Sequence, residues 1–454
     1  MPLELAAEIS TVDLAAARLQ MALSLGWHII IACFGVGLPA ITVLAEWRGH
    51  RTGDTNYRLL ARRWARVMGV LFAVGAVSGT ILSFEMGLLW PGLMGVYGQV
   101  IGLPFTLEGI AFFIEAIFLG IYLYAWDRLP PRVHLLTAIP VLVSGVASAF
   151  FVVTANAWMQ QPTGFDEANG RIVAVDPVAA MFNPATPPQT VHMILAAFMV
   201  SGFGMAGIYA YAMLRGRRDR YHRLGFLVPF AVAAVITPVQ IGVGDWAAHF
   251  VADNQPVKLA AMEGIFQTQR GAPLHLGGIA VGGQMRYALE IPNGLSLLAH
   301  FDPNAEIMGL DEVPAADRPP VNVVHLAFQL MVGSGFALLA LAAWLGLAWW
   351  RHRGLPHTPW FLRAALLSGP LAVLALEAGW VVTEVGRQPW IVFGVLRTAD
   401  AVNPAPGLVF GFIAVCVVYL VLTVATAYVL HRLARDKPVP LAPQESDVTG
   451  YKII

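Results

Sequence analysis

Long stretches almost without charge recur along this chain, and they decide what it can fold into. A bilayer core of about 30 Å takes roughly 20 apolar residues wound as a helix. Nine stretches meet that requirement, near 16–46, 66–90, 104–126, 135–157, 188–214, 224–246, 322–350, 364–386 and 406–431. No alternating strand pattern competes with them. Inside lipid every backbone N–H and C=O needs a partner within the protein, which leaves helices or a closed barrel. The fold class is therefore all-α, a polytopic membrane protein with about nine transmembrane helices in a bundle. Composition agrees: 12% of residues are charged, against about 25% in a soluble domain.

Lys and Arg in the loops set the orientation. Twenty of the 28 basic residues fall in alternate loops and the tail, beginning with Arg48–Arg66 and including the run RGRRDRYHR at 215–223. That side is read as cytoplasmic, with the N-terminus outside and the C-terminus in the cytoplasm. The chain then divides into helices 1–6 (1–246), an external loop (247–321), helices 7–9 (322–432) and a cytoplasmic tail (433–454). A loop that long in a compact membrane protein reads as functional, and VKLAAMEGIFQ within it reads as helical. The tail after Asp436 reads as disordered. The N-terminus lacks a basic segment, so the first span reads as retained rather than cleaved. Zero formal net charge gives no electrostatic case for nucleic acid. Cys33 and Cys416 both lie in apolar runs and supply neither a disulfide framework nor a metal site.

Against this background a few polar residues stand out. His28 and His192 lie within apolar spans, where a polar ring is costly and is a functional candidate. A lone membrane histidine is about as often a helix–helix hydrogen bonder. Taking about 1.5 Å of rise per residue, His28 lies roughly 15 Å deep. Glu108 and Glu115, seven residues apart, share a helix face. Burying each costs about 2.5–3.5 kcal/mol on insertion scales, a stripe that suits a proton relay or a transporter. Trp380 and Glu384 also share a face, which Glu377 extends. Met331 alone reads as core filler. Lys258 and Glu263 read as a solvated pair on a surface helix. His50, His134, His222, His352, His357 and His431 lie among arginines and read as bland, and His325 is a weaker ligand candidate than His192. By depth, the candidates gather in the outer half of the membrane under the long loop.

The segments GRQPW (386–390) and EAGW (377–380), with Glu384 between them, resemble the signature of subunit I of cytochrome bd-type quinol oxidases. The likeness extends along the chain through RLQMALSLGWH around His28, LEGIAFFIE (107–115), WDRL (126–129), ANAWMQQP (155–162), VH (191–192), GD (244–245), KLAAMEG (258–264) and the methionine of AFQLMVGSG. It implies a terminal respiratory oxidase of the bacterial inner membrane that oxidises quinol at the outer face and reduces O2 to water, generating a proton motive force by charge separation. The implied cofactors are two haem b and one haem d, the third ring being d or b.

Carried over by position, the resemblance implies His28 as axial ligand of the oxygen-reducing haem. It implies His192 and Met331 as ligands of the low-spin haem b, and Glu384 as ligand of the high-spin haem b with Trp380 beside it. Arg387 would pair with a haem propionate, Glu108 and Glu115 would carry protons, and Lys258 and Glu263 would bind ubiquinol or menaquinol in the external Q-loop. The partners implied are a second large membrane subunit (subunit II), with or without a small single-span one. Gln329 stands where many members carry an arginine near the low-spin haem, and the Q-loop lacks its long second half. Both features resemble the cyanide-insensitive branch. Two other readings stay open on the residues alone: an ion- or proton-coupled transporter using the same carboxylates, and a haem electron-transfer subunit that does not reduce oxygen.

Overall fold

The computed structural model of the chain describes residues 10–168, 171–356 and 358–435. Among them nine helices are long and apolar enough to cross a bilayer. They are α1 (Thr11–Thr52), α2 (Thr55–Leu89), α3 (Pro91–Tyr124), α4 (Pro131–Gln160), α6 (Thr186–Leu214), α7 (Arg220–Asn254), α10 (Val321–His352), α11 (Pro359–Val385) and α13 (Leu408–Arg435). Four short helices lie in the connections: α5 (Pro177–Met181), α8 (Pro256–Glu263), α9 (Gly294–His300) and α12 (Thr398–Ala401). The tail expected to be disordered lies outside the described residues from 436 onward.

Local chemistry explains where the helices begin and end. Ser10, Asp54 and Asp219 accept hydrogen bonds from the first-turn N–H groups of α1, α2 and α7, which have no helical partner. Proline occupies the first turn of α3, α4, α6, α8 and α11, where its missing N–H costs nothing. Gly53 ends α1 at φ 70°. Most helices run beyond the apolar stretches that signalled them. Pro104 does not open the third span as the sequence suggested: α3 starts at Pro91 and continues through it. Neighbouring helices re-satisfy the backbone around such a proline.

The two ends of the bundle differ. At the arginine-rich end the connections are short, the briefest being Gly53 and Asp54. At the other end the segments 161–185, 255–320 and 386–407 build a cap. This cap contains strands the apolar pattern did not announce, all in two-stranded antiparallel ribbons. The segment 255–320 carries a small core of Leu259, Ile265, Leu295, Ile307 and Leu310. Met262 ties it to Val324 of α10 and Val382 of α11. Half of the most apolar stretch of α6 is buried, against 6% for α13, so α6 is central and α13 peripheral.

Candidate functional site

His28 projects from α1 towards α2, where Ser78 lies 2.8 Å from its Nδ1. The Ser78 hydroxyl is within reach of the carbonyls of Val74 and Gly75, which only accept. The ring therefore donates its Nδ1–H to Ser78, and Nε2 is left with its lone pair. An acceptor on the ring's other N–H orients a metal-binding imidazole in this way. Residue 79, the next on α2, is glycine. A Cβ there would lie 3.3 Å from His28 Cε1 and 3.8 Å from Nε2, so its absence keeps that flank open.

The His192 and Met331 positions repeat the facing glycine. His192 on α6 faces Gly244 of α7, where a Cβ would stand 3.3 Å from the ring. Met331 on α10 faces Gly379 of α11, where a Cβ would stand 3.0 Å from the sulfur. The Gln240 amide nitrogen sits 3.2 Å from both nitrogens of His192, so it locks neither. Gln240 Oε1 is buried without a partner. His325 differs: its two ring nitrogens lie 2.7 and 3.0 Å from the carbonyl oxygens of Met262 and Gly277, which leaves none for a metal.

Glu384 lies in the last turn of α11, at the foot of the cap. It accepts from Asn156 Nδ2 at 2.5 Å and, on its other oxygen, from Arg387. Arg387 is 4% exposed, yet its Nε and Nη1 have no partner. Lys258 lies close by and donates to Gln160 Oε1 at 2.5 Å. Residue 386 must be small here, since a Cβ would come within 3.0 Å of the lysine chain. Glu377, two turns earlier on α11, lies 3.1 Å from where a Cβ on Gly26 would be, which sets it beside the helix of His28. Its Oε1 is buried and unpartnered, at the edge of a groove of about 690 Å3 lined by Phe34, Gly204, Gly207, Ile208 and Leu366.

Lys258 and Glu263 are not the solvated pair expected of a surface helix. Each is 4% exposed, because α8 packs down onto α4, α10 and α11. They do not bond to each other. Burial, with the charge of Arg387 adding to it and that of Glu384 opposing, pulls the Lys258 amine down to about 7. Burial pushes the Glu263 carboxyl up to about 8, and its Oε2 has no partner. Gln329 spans the same region, donating to the His275 carbonyl at 2.9 Å and accepting from the Gly277 N–H at 3.1 Å. Glu108 and Glu115 share one face of α3, as expected. Ser148 donates to Glu108 at 3.1 Å, and Gly145 lies against Glu115. Trp380 is half-buried against the main core.

The family model for cytochrome bd terminal oxidase subunit I matches residues 16–438. This chain belongs to that family. It is 37% identical to a putative cytochrome bd menaquinol oxidase subunit I of Bacillus subtilis, over 94% of this chain and 98% of the relative. Against subunit 1 of a cytochrome bd ubiquinol oxidase from the same organism the identity is 32%, over 96% and 98%. The bd oxidase structure from Geobacillus thermodenitrificans superposes with a TM-score of 0.87 at 42% identity, covering 93% of this chain and 98% of that one. None of these relatives is a transporter.

Cytochromes carry haem, and the site residues fit it. Three expected ligand positions each offer a bare or spare donor: His28 Nε2, the His192 ring and the Glu384 carboxylate. Glycines stand where side chains would crowd His28, His192 and Met331. The two unpartnered nitrogens of Arg387 suit a propionate, which would give that buried cation the acceptors it lacks. Sequence reasoning missed Ser78 and Gln240, which sit in apolar runs without any local signal. Asn156 and Gln160 lay within ANAWMQQP but had no role attached.

Proposed function

We propose that this chain is the haem-carrying subunit of a quinol:oxygen oxidoreductase in the bacterial inner membrane. The observation that carries the reading is at His28: Nδ1 is spent on Ser78, and Nε2 lies bare against a glycine. An imidazole held through one nitrogen, with the other nitrogen bare, is prepared to bind a metal.

In this reading His192 and Met331 hold a low-spin haem b, Glu384 a high-spin haem b, and His28 a third haem of d or b type. The haems, when bound, supply electron transfer and oxygen binding, and His/Met ligation favours the former. Arg387 neutralises a propionate and orients the Glu384 carboxylate. The cap faces outside, following the basic residues. Ubiquinol or menaquinol docks under the cap, with Lys258 steadying its head group and Glu263 taking a proton once ionised. Glu115 and Glu108 carry protons from the cytoplasmic side for the reduction of O2 to water. Proton release at one face and uptake at the other separates charge without a pump. Subunit II packs against an apolar flank of the bundle.

The test is the dithionite-reduced minus oxidised spectrum of the purified complex, with and without CO. A sharp low-spin band and a CO-sensitive component are expected, and His192→Ala should abolish the sharp band alone. A colourless protein, or an unchanged His192→Ala spectrum, refutes the assignment.

A further inference from the structure

We propose that Glu46, His134 and Tyr122 form the proton-uptake station that feeds Glu115 and Glu108 from the arginine-rich end of the bundle. The proposal rests on the reading of those two glutamates as proton carriers.

His134 is not one of the bland histidines its arginine-rich neighbourhood suggested. It is 2% exposed, and Glu46 is 1% exposed. His134 Nδ1 lies 2.7 Å from Glu46 Oε1, and Nε2 lies 3.0 Å from the Tyr122 carbonyl oxygen. A carbonyl only accepts, so Nε2 carries a hydrogen in either state. One mobile proton is then shared between Nδ1 and Oε1: the pair is imidazolium with carboxylate, or neutral ring with carboxylic acid. The Tyr122 hydroxyl donates to Glu46 Oε2 at 2.6 Å. Rings of Tyr122 and Trp126 hold the imidazole, with centroids at 4.5 and 4.3 Å. His50 Nε2 stands 3.4 Å from Glu46 Oε1, and its side chain is 20% exposed, which gives the pair a route to solvent. A proton taken up by His50 passes to Glu46, which hands one from Oε2 to the Tyr122 hydroxyl as that hydroxyl releases its own inward, so no net charge accumulates.

The helices carry the line inward. Tyr122, Glu115 and Glu108 recur every seven residues on α3, about 10.5 Å per step. On α4 the same seam holds Gly145, whose Cβ would lie 3.5 Å from Glu115, and Ser148, bonded to Glu108. On α1 it holds Glu46, Thr42 and Gly35. Pro39 has no N–H, so the Gly35 carbonyl has no helical donor four residues on. That oxygen would lie 3.1 Å from a Cβ on Gly145, and it is a spare acceptor beside Glu115. Small residues and spare acceptors between buried acids make room for a water chain.

The experiment uses the complete oxidase in vesicles, with a pH dye on the arginine-rich side. Glu46→Gln should keep the haem spectrum and thermal midpoint while proton uptake and oxygen reduction fall about tenfold or more. Added formate, a small permeant acid, should restore both rates. Uptake at the parental rate overturns the station. So does a slowing that formate does not relieve and that comes with a lowered thermal midpoint, since that marks a structural pin between α1, α3 and α4. If Glu46→Gln does not assemble, Glu46→Asp must show the same rescuable slowing; full rate in that variant overturns the proposal. Glu115→Gln separates the two levels. Full rate there removes the carrier reading, whereas a slow Glu115→Gln beside a full-rate Glu46→Gln removes the station alone.

Discussion

At the scale of single residues, burial decides which protonation states are available under the cap. Glu263, pushed up to about 8, is a neutral acid at pH 7 and becomes a base as pH rises through that value. Quinol oxidation at kcat/KM should therefore climb between pH 7 and 9. Glu263→Gln should flatten that limb and lower the rate while leaving all haem bands in place; a parallel loss of haem would refute the role. The sign for folding is opposite. Between about 4.5 and 8 the folded carboxyl holds a proton that the unfolded one has lost, so this residue's contribution to stability falls as pH rises. Lys258 acts in the other sense: from about 7 to 10.5 the unfolded amine keeps a proton the folded one lacks, and stability rises with pH. Buried polar groups of this kind cost folding energy and persist for function.

At the scale of elements, the ligand positions depend on what the neighbouring helix leaves out. α7 presents Gly244 to His192 and Gly242 to open space. Gly244→Val would set its Cβ 3.3 Å from the ring, with an overpacking cost of about 1–3 kcal/mol. The expected result is loss of the low-spin band with the CO-sensitive component retained, whereas Gly242→Val should keep both. Reduced-minus-oxidised spectra of the two variants check this, and loss of the low-spin band in both would show a general intolerance of α7. Proline acts at the same scale. Within α1, Pro39 does not break the helix, and the carbonyl it frees faces the polar seam rather than lipid.

At the scale of the molecule, a long cap at one end and short connections at the other make the bundle polar along its axis. Lys258 and Glu263, proposed to bind quinol, lie under the cap, and the Glu46–His134 pair lies at the far end. Oriented vesicles respiring on quinol should therefore acidify on the cap side and take up protons on the arginine-rich side. Proton release and proton uptake on the same side would contradict the arrangement. Sequence by itself determined the nine helices, since about 20 apolar residues admit no other structure in lipid. It also singled out His28, His192 and Glu384 as candidates, because a polar group in such a run is conspicuous. What surrounds them was decided only by tertiary structure. Ser78 reaches His28 from another helix, and Gly244 and Gly379 matter for what they fail to place beside His192 and Met331. The burial of Lys258, Glu263 and His134 was likewise invisible. Polar residues near a helix end look solvated in sequence, and only the packing of α8 onto the bundle, and of α1 against α3 and α4, removes them from water.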